Sequence, residues 1–136
     1  MLTKLATAVG IMGLATMAGW ATSASAHHAF AAEFDANKPV NFKGTITRME
    51  WVNPHAWLWV DVKGEDGKVV AWSFEMGSPS ALLRNGWKKD DIKPGTVVAI
   101  TGFLARGGGP VGNAYKVQLP DGKDLFAGSS VGDKKE

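Results

Sequence analysis

The sequence contains no cysteine, a single tyrosine and three histidines. Without cysteine there can be no disulfide, no thiolate metal ligand, no cysteine nucleophile and no cysteine for a lipid anchor. Beyond an apolar opening segment, no stretch is long and apolar enough to span a bilayer. Neither sign of charge dominates, with 15 Lys and Arg against 13 Asp and Glu. Such a balance offers no basic face for nucleic acid or an anionic membrane. The signatures of catalysis are missing as well. No Gly-x-Ser-x-Gly elbow occurs, and Ser73, Ser78 and Ser80 have no histidine at a recognisable spacing. Gly107-Gly108-Gly109 lacks the lysine and Ser/Thr of a phosphate loop. Nothing marks Glu50, Asp61 and Glu75 as a glycosidase pair, so an enzyme is not the expected reading.

The opening segment reads as an export leader. Lys4 is followed by an apolar run from Leu5 to Trp20, and Ala24 and Ala26 occupy the small-residue −3 and −1 positions of a cleavage site. A cut after Ala26 defines residues 1–26 as a signal peptide and makes His27 the first mature residue. The product is expected in the periplasm or secreted. About a hundred residues are left, enough for one domain but not two.

Residues 27–39 read as an extended N-terminal arm anchored by Phe30 and Phe34 and broken at Pro39. A long strand follows from Val40 to Trp51, with Gly44 at a bend and a bulge near Thr47-Arg48 that returns Met49 and Trp51 to the core. Ala56 to Val62 alternates strictly, which predicts a strand. Gly64-Glu65-Asp66-Gly67 turns it into a partner from Val69 to Met76. Of the two registers, the one that joins the all-apolar sets places His55, Trp57, Trp59 and Glu75 on the outer face. Ser78-Pro79 starts a short helix that Gly86 stops. Strands follow from Thr96 to Ala105, with Val98, Ile100 and Phe103 as inward candidates, and from Ala114 to Leu119. The Arg106–Asn113 loop separates them, and a short edge at Leu125-Phe126 comes last.

This order predicts an all-β domain over residues 40–127. The expected form is a small five-stranded antiparallel OB-like barrel with one short helix between strands 3 and 4, another small barrel or sandwich being the alternative. Residues 128–136 are small and polar, and a disordered tail is expected there.

His27-His28-Ala29-Phe30, Glu50-Trp51-Val52-Asn53-Pro54-His55-Ala56-Trp57, Gly77-Ser78-Pro79 and Leu125-Phe126-Ala127-Gly128-Ser129-Ser130 resemble a family of exported bacterial proteins. It is the domain-of-unknown-function family numbered six-one-five-two. The resemblance implies a small exported domain and no particular activity.

All three histidines lie in or beside these motifs. A mature His27 offers a terminal amine and an imidazole, and His55 offers a third nitrogen; His28 is an alternative through the intervening amide. Such a nitrogen set resembles the histidine brace of copper proteins in its chemistry and suits Cu(II). Glu75 is the candidate that orients His55 through its other ring nitrogen. Phe30 and Phe34 packing on Trp57 and Trp59 would draw the arm towards His55. The competing reading has no metal: Trp57 and Trp59 form an aromatic face for a small ligand or another exported protein. In either case the chain is expected to be a monomeric binding module.

Overall fold

A computed structural model describes residues 30–128. His27, His28, the proposed leader and residues 129–136 lie outside the described residues. The architecture is mostly antiparallel β, with one six-stranded sheet and little helix. That is one strand more than expected, because the Leu125-Phe126 edge is a full sheet member. The strands are β1 (Phe34–Glu50), β2 (Trp57–Lys63), β3 (Val69–Glu75), β4 (Val97–Ala105), β5 (Val111–Gln118) and β6 (Asp124–Phe126). They are ordered β3-β2-β1-β4-β5-β6, and β3 also pairs with β5 in parallel.

The length of β1 lets it serve two partners. Phe34 to Thr45 pairs with β4, and Gly44 to Glu50 pairs with β2. Gly44 lies where these spans overlap, and a Cβ there would meet the Asp61 carbonyl at 2.9 Å. The expected bulge lies between Ile46 and Arg48. Thr47 is the extra residue, and beyond it Met49 and Trp51 pack against the core while Arg48 and Glu50 line the other face.

Two features of the arm differ from expectation. Residues 30–33 are helical rather than extended. Ala31, Ala32 and Glu33 favour helix, and Arg106 satisfies the end of this turn: its main-chain N–H donates to the Glu33 carbonyl and its Nε–H to the Ala31 carbonyl. The strand also starts earlier, at Phe34, and passes through Pro39. An irregularity in the pairing between Phe34 and Pro39 accommodates the missing donor.

The β2–β3 hairpin takes the register that unites the apolar sets. Leu58 faces Phe74, Val60 faces Trp72 and Val62 faces Val70, while Trp57 sits opposite Glu75. Its turn is closed by Gly64 N–H to the Lys68 carbonyl, and Gly67 adopts a φ of 78° that favours glycine. Helix α1 (Pro79–Arg84) follows β3 and precedes β4, as expected. Ser78 Oγ accepts from the Ala81 N–H at 3.3 Å, and Gly86 closes the helix at a φ of 88°.

The core gathers Ile46, Leu58, Val60, Phe74, Met76, Leu82, Trp87, Ile100 and Leu125. Val98 and Ile100 point inward, but Phe103 does not. Alternation from Ile100 turns Phe103 to the outer face, where Phe30 covers it edge-on, and a slip in the pairing between Thr101 and Gly102 sets it opposite Asn113. β5 also begins earlier than Ala114. Val111 to Asn113 leaves the loop to pair with Ser73 to Glu75. Gly112 permits this approach: a Cβ there would lie 2.9 Å from both the Phe103 carbonyl and the Phe74 ring. Gly128, at the start of the expected tail, is buried.

Candidate functional site

The site is built on the outer face of β2 and β3. His55 precedes β2, just after a cis Asn53–Pro54 peptide. The ladder extends past the strand ends to hold it there, with Met76 N–H donating to the Ala56 carbonyl and Ala56 N–H to the Gly77 carbonyl. Glu75 closes β3 directly opposite Trp57. The result is a His55 Nδ1 to Glu75 Oε1 contact of 2.7 Å. The imidazole is 41% exposed and the carboxylate only 12% exposed, so the pair presents histidine outward. With Nδ1–H donating to the carboxylate, Nε2 carries the lone pair. A carboxylate behind an imidazole selects that tautomer and fixes the orientation of the ring.

Burial pushes the Glu75 carboxyl above its ordinary value; His55 pulls it back, and the carboxylate of Glu33 adds to the rise. The charge on Glu75 therefore works against stability. The contribution of this group is present below its ordinary value of about 4.5 and is lost as pH rises through the raised one. Glu75→Gln retains an acceptor for Nδ1–H and removes the charge. Its melting temperature should exceed that of the parent by a few degrees at neutral pH, about 1 kcal/mol or less. The difference should shrink as pH falls towards about 4. Melts across that range check the sign; a gap that widens towards acid refutes it.

The neighbouring tryptophans differ from each other. Trp57 stands between Glu50 and Glu75 on its two partner strands and is half-buried. Trp59 stands between Arg48 and Ser73. The Arg48 guanidinium lies 4.6 Å from the Trp59 ring centroid and also pairs with Glu50 at 3.0 Å. A face of Trp59 is thus already occupied by a cation. Its Nε1 is buried with no acceptor among the described residues.

The structure brings His55 and Glu75 together, with Trp57 and Trp59 on the same face. It does not bring Phe30 and Phe34 onto those tryptophans. Phe30 instead packs against Phe34 at 5.4 Å, tilted, and edge-on against Phe103 at 6.1 Å between ring centroids. The cause is topological: the first part of β1 runs beside β4, so the arm leaves over β4 and β5. Among the described residues, no group of three or more His, Asp or Glu could hold a metal ion. A metal at His55 would need ligands from outside them, which is where His27 and His28 lie.

Sequence reasoning missed Arg48, Glu33 and Arg106. Arg48 had a signal, since the anticipated bulge turns it onto the face of Trp59. Glu33 and Arg106 had none, because a contact between an arm and a distant hairpin loop leaves no local pattern.

A family model described as a family of unknown function, DUF6152, matches residues 15–114. The chain belongs to this family. The DUF6152 match takes in the arm, the Asn53-Pro54-His55 segment, Glu75 and Arg106, so the whole site lies within it. Leu125 to Ser130, the last segment of the resemblance, lies beyond the DUF6152 match. No curated protein and no solved structure matches the chain.

Proposed function

We propose that this DUF6152 protein is an exported, monomeric binding module that holds Cu(II) at His55 together with His27 and His28. The leader reading places it in the periplasm or outside the cell. The cyclic pairing β1–β2–β3–β5–β4–β1, with β3 and β5 parallel, supports an OB-like barrel as its frame. The observation that carries the function is the His55–Glu75 contact of 2.7 Å, which prepares one outward-facing nitrogen.

Reach supports the rest. Phe103 faces Asn113, and Asn113 faces Glu75, so Phe103 and Glu75 stand two strand spacings apart on one face, about 10 Å. Phe30 covers Phe103, and the three residues 27–29 ahead of it span up to about 10 Å. A mature N-terminus at His27 would therefore be tethered on the Glu75 side of this face, and its approach to His55 is part of the proposal. Its amine, with an ordinary pKa of about 7.7 to 8.0, loses its proton readily to a metal near neutral pH. Amine and imidazole nitrogens favour Cu(II) over the other divalent first-row ions. The metal-free reading is weaker, because Arg48 already covers a face of Trp59. Its remaining strength is Trp57, as a platform for a small ligand or another exported protein.

Intact mass of the exported chain is expected to give His27 as the first residue. Calorimetric titration with Cu(II) is expected to give tight 1:1 binding, weakened at least about tenfold when one residue is added before His27, since the amine then moves away from its imidazole. Equal affinity of the two forms refutes the N-terminal site. Glycan or peptide binding that disappears in Trp57→Ala, with no copper binding, would favour the metal-free reading.

A further inference from the structure

We propose that the outer face between Trp57 and Phe103 binds a primary organic ammonium ion, with Glu75 as its charge partner and Asn113 as a second acceptor. The inference rests on the reading of Trp57 as a platform for a small ligand, and it gives that ligand a chemical class.

Four strands each place one residue in a row across this face. Trp57 of β2 sits opposite Glu75 of β3, Glu75 opposite Asn113 of β5, and Asn113 opposite Phe103 of β4. Directly paired residues project to the same face. The row therefore reads large, polar, polar, large, and it spans about 14 Å over three strand spacings. Trp57 forms one wall, and Phe103, covered by Phe30, forms the other. The floor between them is polar yet withdrawn from solvent. The Glu75 side chain is 12% exposed and Asn113 only 3%. Ser73, also buried, and the unpaired Trp59 Nε1 continue the floor one rung along.

Buried polar groups are normally paired. Asn113 adjoins Glu75, yet its carboxamide takes part in no side-chain hydrogen bond among the described residues. Glu75 engages His55 through Oε1 and keeps Oε2. Burial raises its carboxyl, His55 draws it down, and no cationic side chain helps. His55 needs only an acceptor, which glutamine would supply, so the charge answers to something else. A primary ammonium brings that counter-charge with three donors. Trp57 supplies the apolar half of the site. Among the described residues, Lys89 lies 5.7 Å from the Trp51 ring centroid and Arg48 lies 4.6 Å from that of Trp59, whereas no cation lies over Trp57. An ammonium whose apolar body packs on this indole gains cation–π attraction while its donors reach Glu75. An anion would meet the Glu75 charge instead. A bare metal ion would find no set of three His, Asp or Glu among the described residues.

The test uses the exported chain, freed of metal by a chelator, and three probes that share a phenyl body. These are 2-phenylethylamine, its neutral N-acetyl derivative and the anion 3-phenylpropionate. Calorimetry should give saturable binding of the amine alone, with a Kd below about 1 mM. Nitrogen–proton correlation spectra should show the Trp57 indole and the Asn113 carboxamide shifting with it. Glu75→Gln should weaken the amine at least about tenfold, the effect of losing a charged hydrogen-bond partner. That variant is expected to melt above the parent, so unfolding does not account for the loss. Trp57→Ala should weaken it about three- to thirtyfold, and Asn113→Leu, of similar shape, about tenfold. His55→Ala should not weaken it, which separates this site from copper binding. Equal binding of all three probes, no binding of the amine, or parental affinity in Glu75→Gln overturns the proposal. Trp57-dependent binding of a glycan or peptide without amine binding overturns the ammonium class and leaves the platform reading standing.

Discussion

His55→Ala is expected to lower the Cu(II) affinity of the mature chain by about a hundredfold. Losing a partner that merely orients a ligand costs about ten- to a hundredfold, and a lost ligand belongs at the upper end of that range. The effect should be chemical rather than structural. His55 lies outside the strands and its side chain is 41% exposed, so no core cavity forms on truncation. The removal does leave Glu75, only 12% exposed, without its imidazole partner. A modest loss of stability at neutral pH is expected from that orphaned charge, and His55→Ala/Glu75→Gln should recover it without recovering copper. Titration and melts of the two variants separate these contributions. Parental affinity in His55→Ala would remove His55 from the site.

Trp87→Ala is expected to be the most damaging single replacement of an aromatic residue. Trp87 is 1% exposed and leads the fully buried side chains by volume. Its Nε1–H also donates to the Phe126 carbonyl at 2.6 Å. Truncating a buried tryptophan costs about 3 to 5 kcal/mol, against a total stability of about 5 to 15 kcal/mol for a domain. At about 4 to 8 °C per kcal/mol for a domain of this size, the melting temperature should fall by roughly 20 °C. Trp87→Phe keeps most of the apolar contact and leaves the Phe126 carbonyl without its donor, so it should lose about 1 to 3 kcal/mol. Trp57→Ala, at a half-buried position on the site face, should cost far less. Circular dichroism melts of the three variants rank them; a Trp87→Ala melt within a few degrees of the parent would contradict the assigned packing.

What could be read from the sequence was what repeats locally. Strict alternation from Ala56 to Val62 and again from Val69 to Met76 placed two strands, and matching their apolar sets selected the register that puts Glu75 beside His55. Ser78, followed by Pro79, marked the helix start because a hydroxyl cap and a fixed φ act within one turn. What escaped notice depends on contacts between distant segments. Phe103 looked inward because it is a large aromatic, although alternation from Ile100 already turns it to the outer face, where Phe30 covers it. Val111 and Gly112 looked like loop because only pairing with Ser73 and Phe74 makes them strand. The helical turn at residues 30–33 was hidden for the same reason, since Arg106 supplies its cap from another part of the chain. The site divides along this line. Its histidine and carboxylate were visible, and the clasp on the arm was not.

The hydrogen bonds at the far end of the described chain concern completeness of the fold rather than chemistry. Phe126 accepts from the indole of Trp87, Gly77 N–H donates to the Ala127 carbonyl, and Ala127 N–H donates to the Tyr115 carbonyl. The main chain entering helix α1 and the largest buried side chain therefore both depend on residues near the end of the described chain. Without those residues Trp87 would lack its acceptor and Gly77 one of its own, and buried groups left unpaired in this way disfavour the closed structure. The segment from β1 to β5 alone is thus an incomplete folding unit. A chain cut short before Leu125 would leave the Trp87 indole and the Gly77 N–H without their acceptors, so its last strand completes the pairing of groups laid down far earlier.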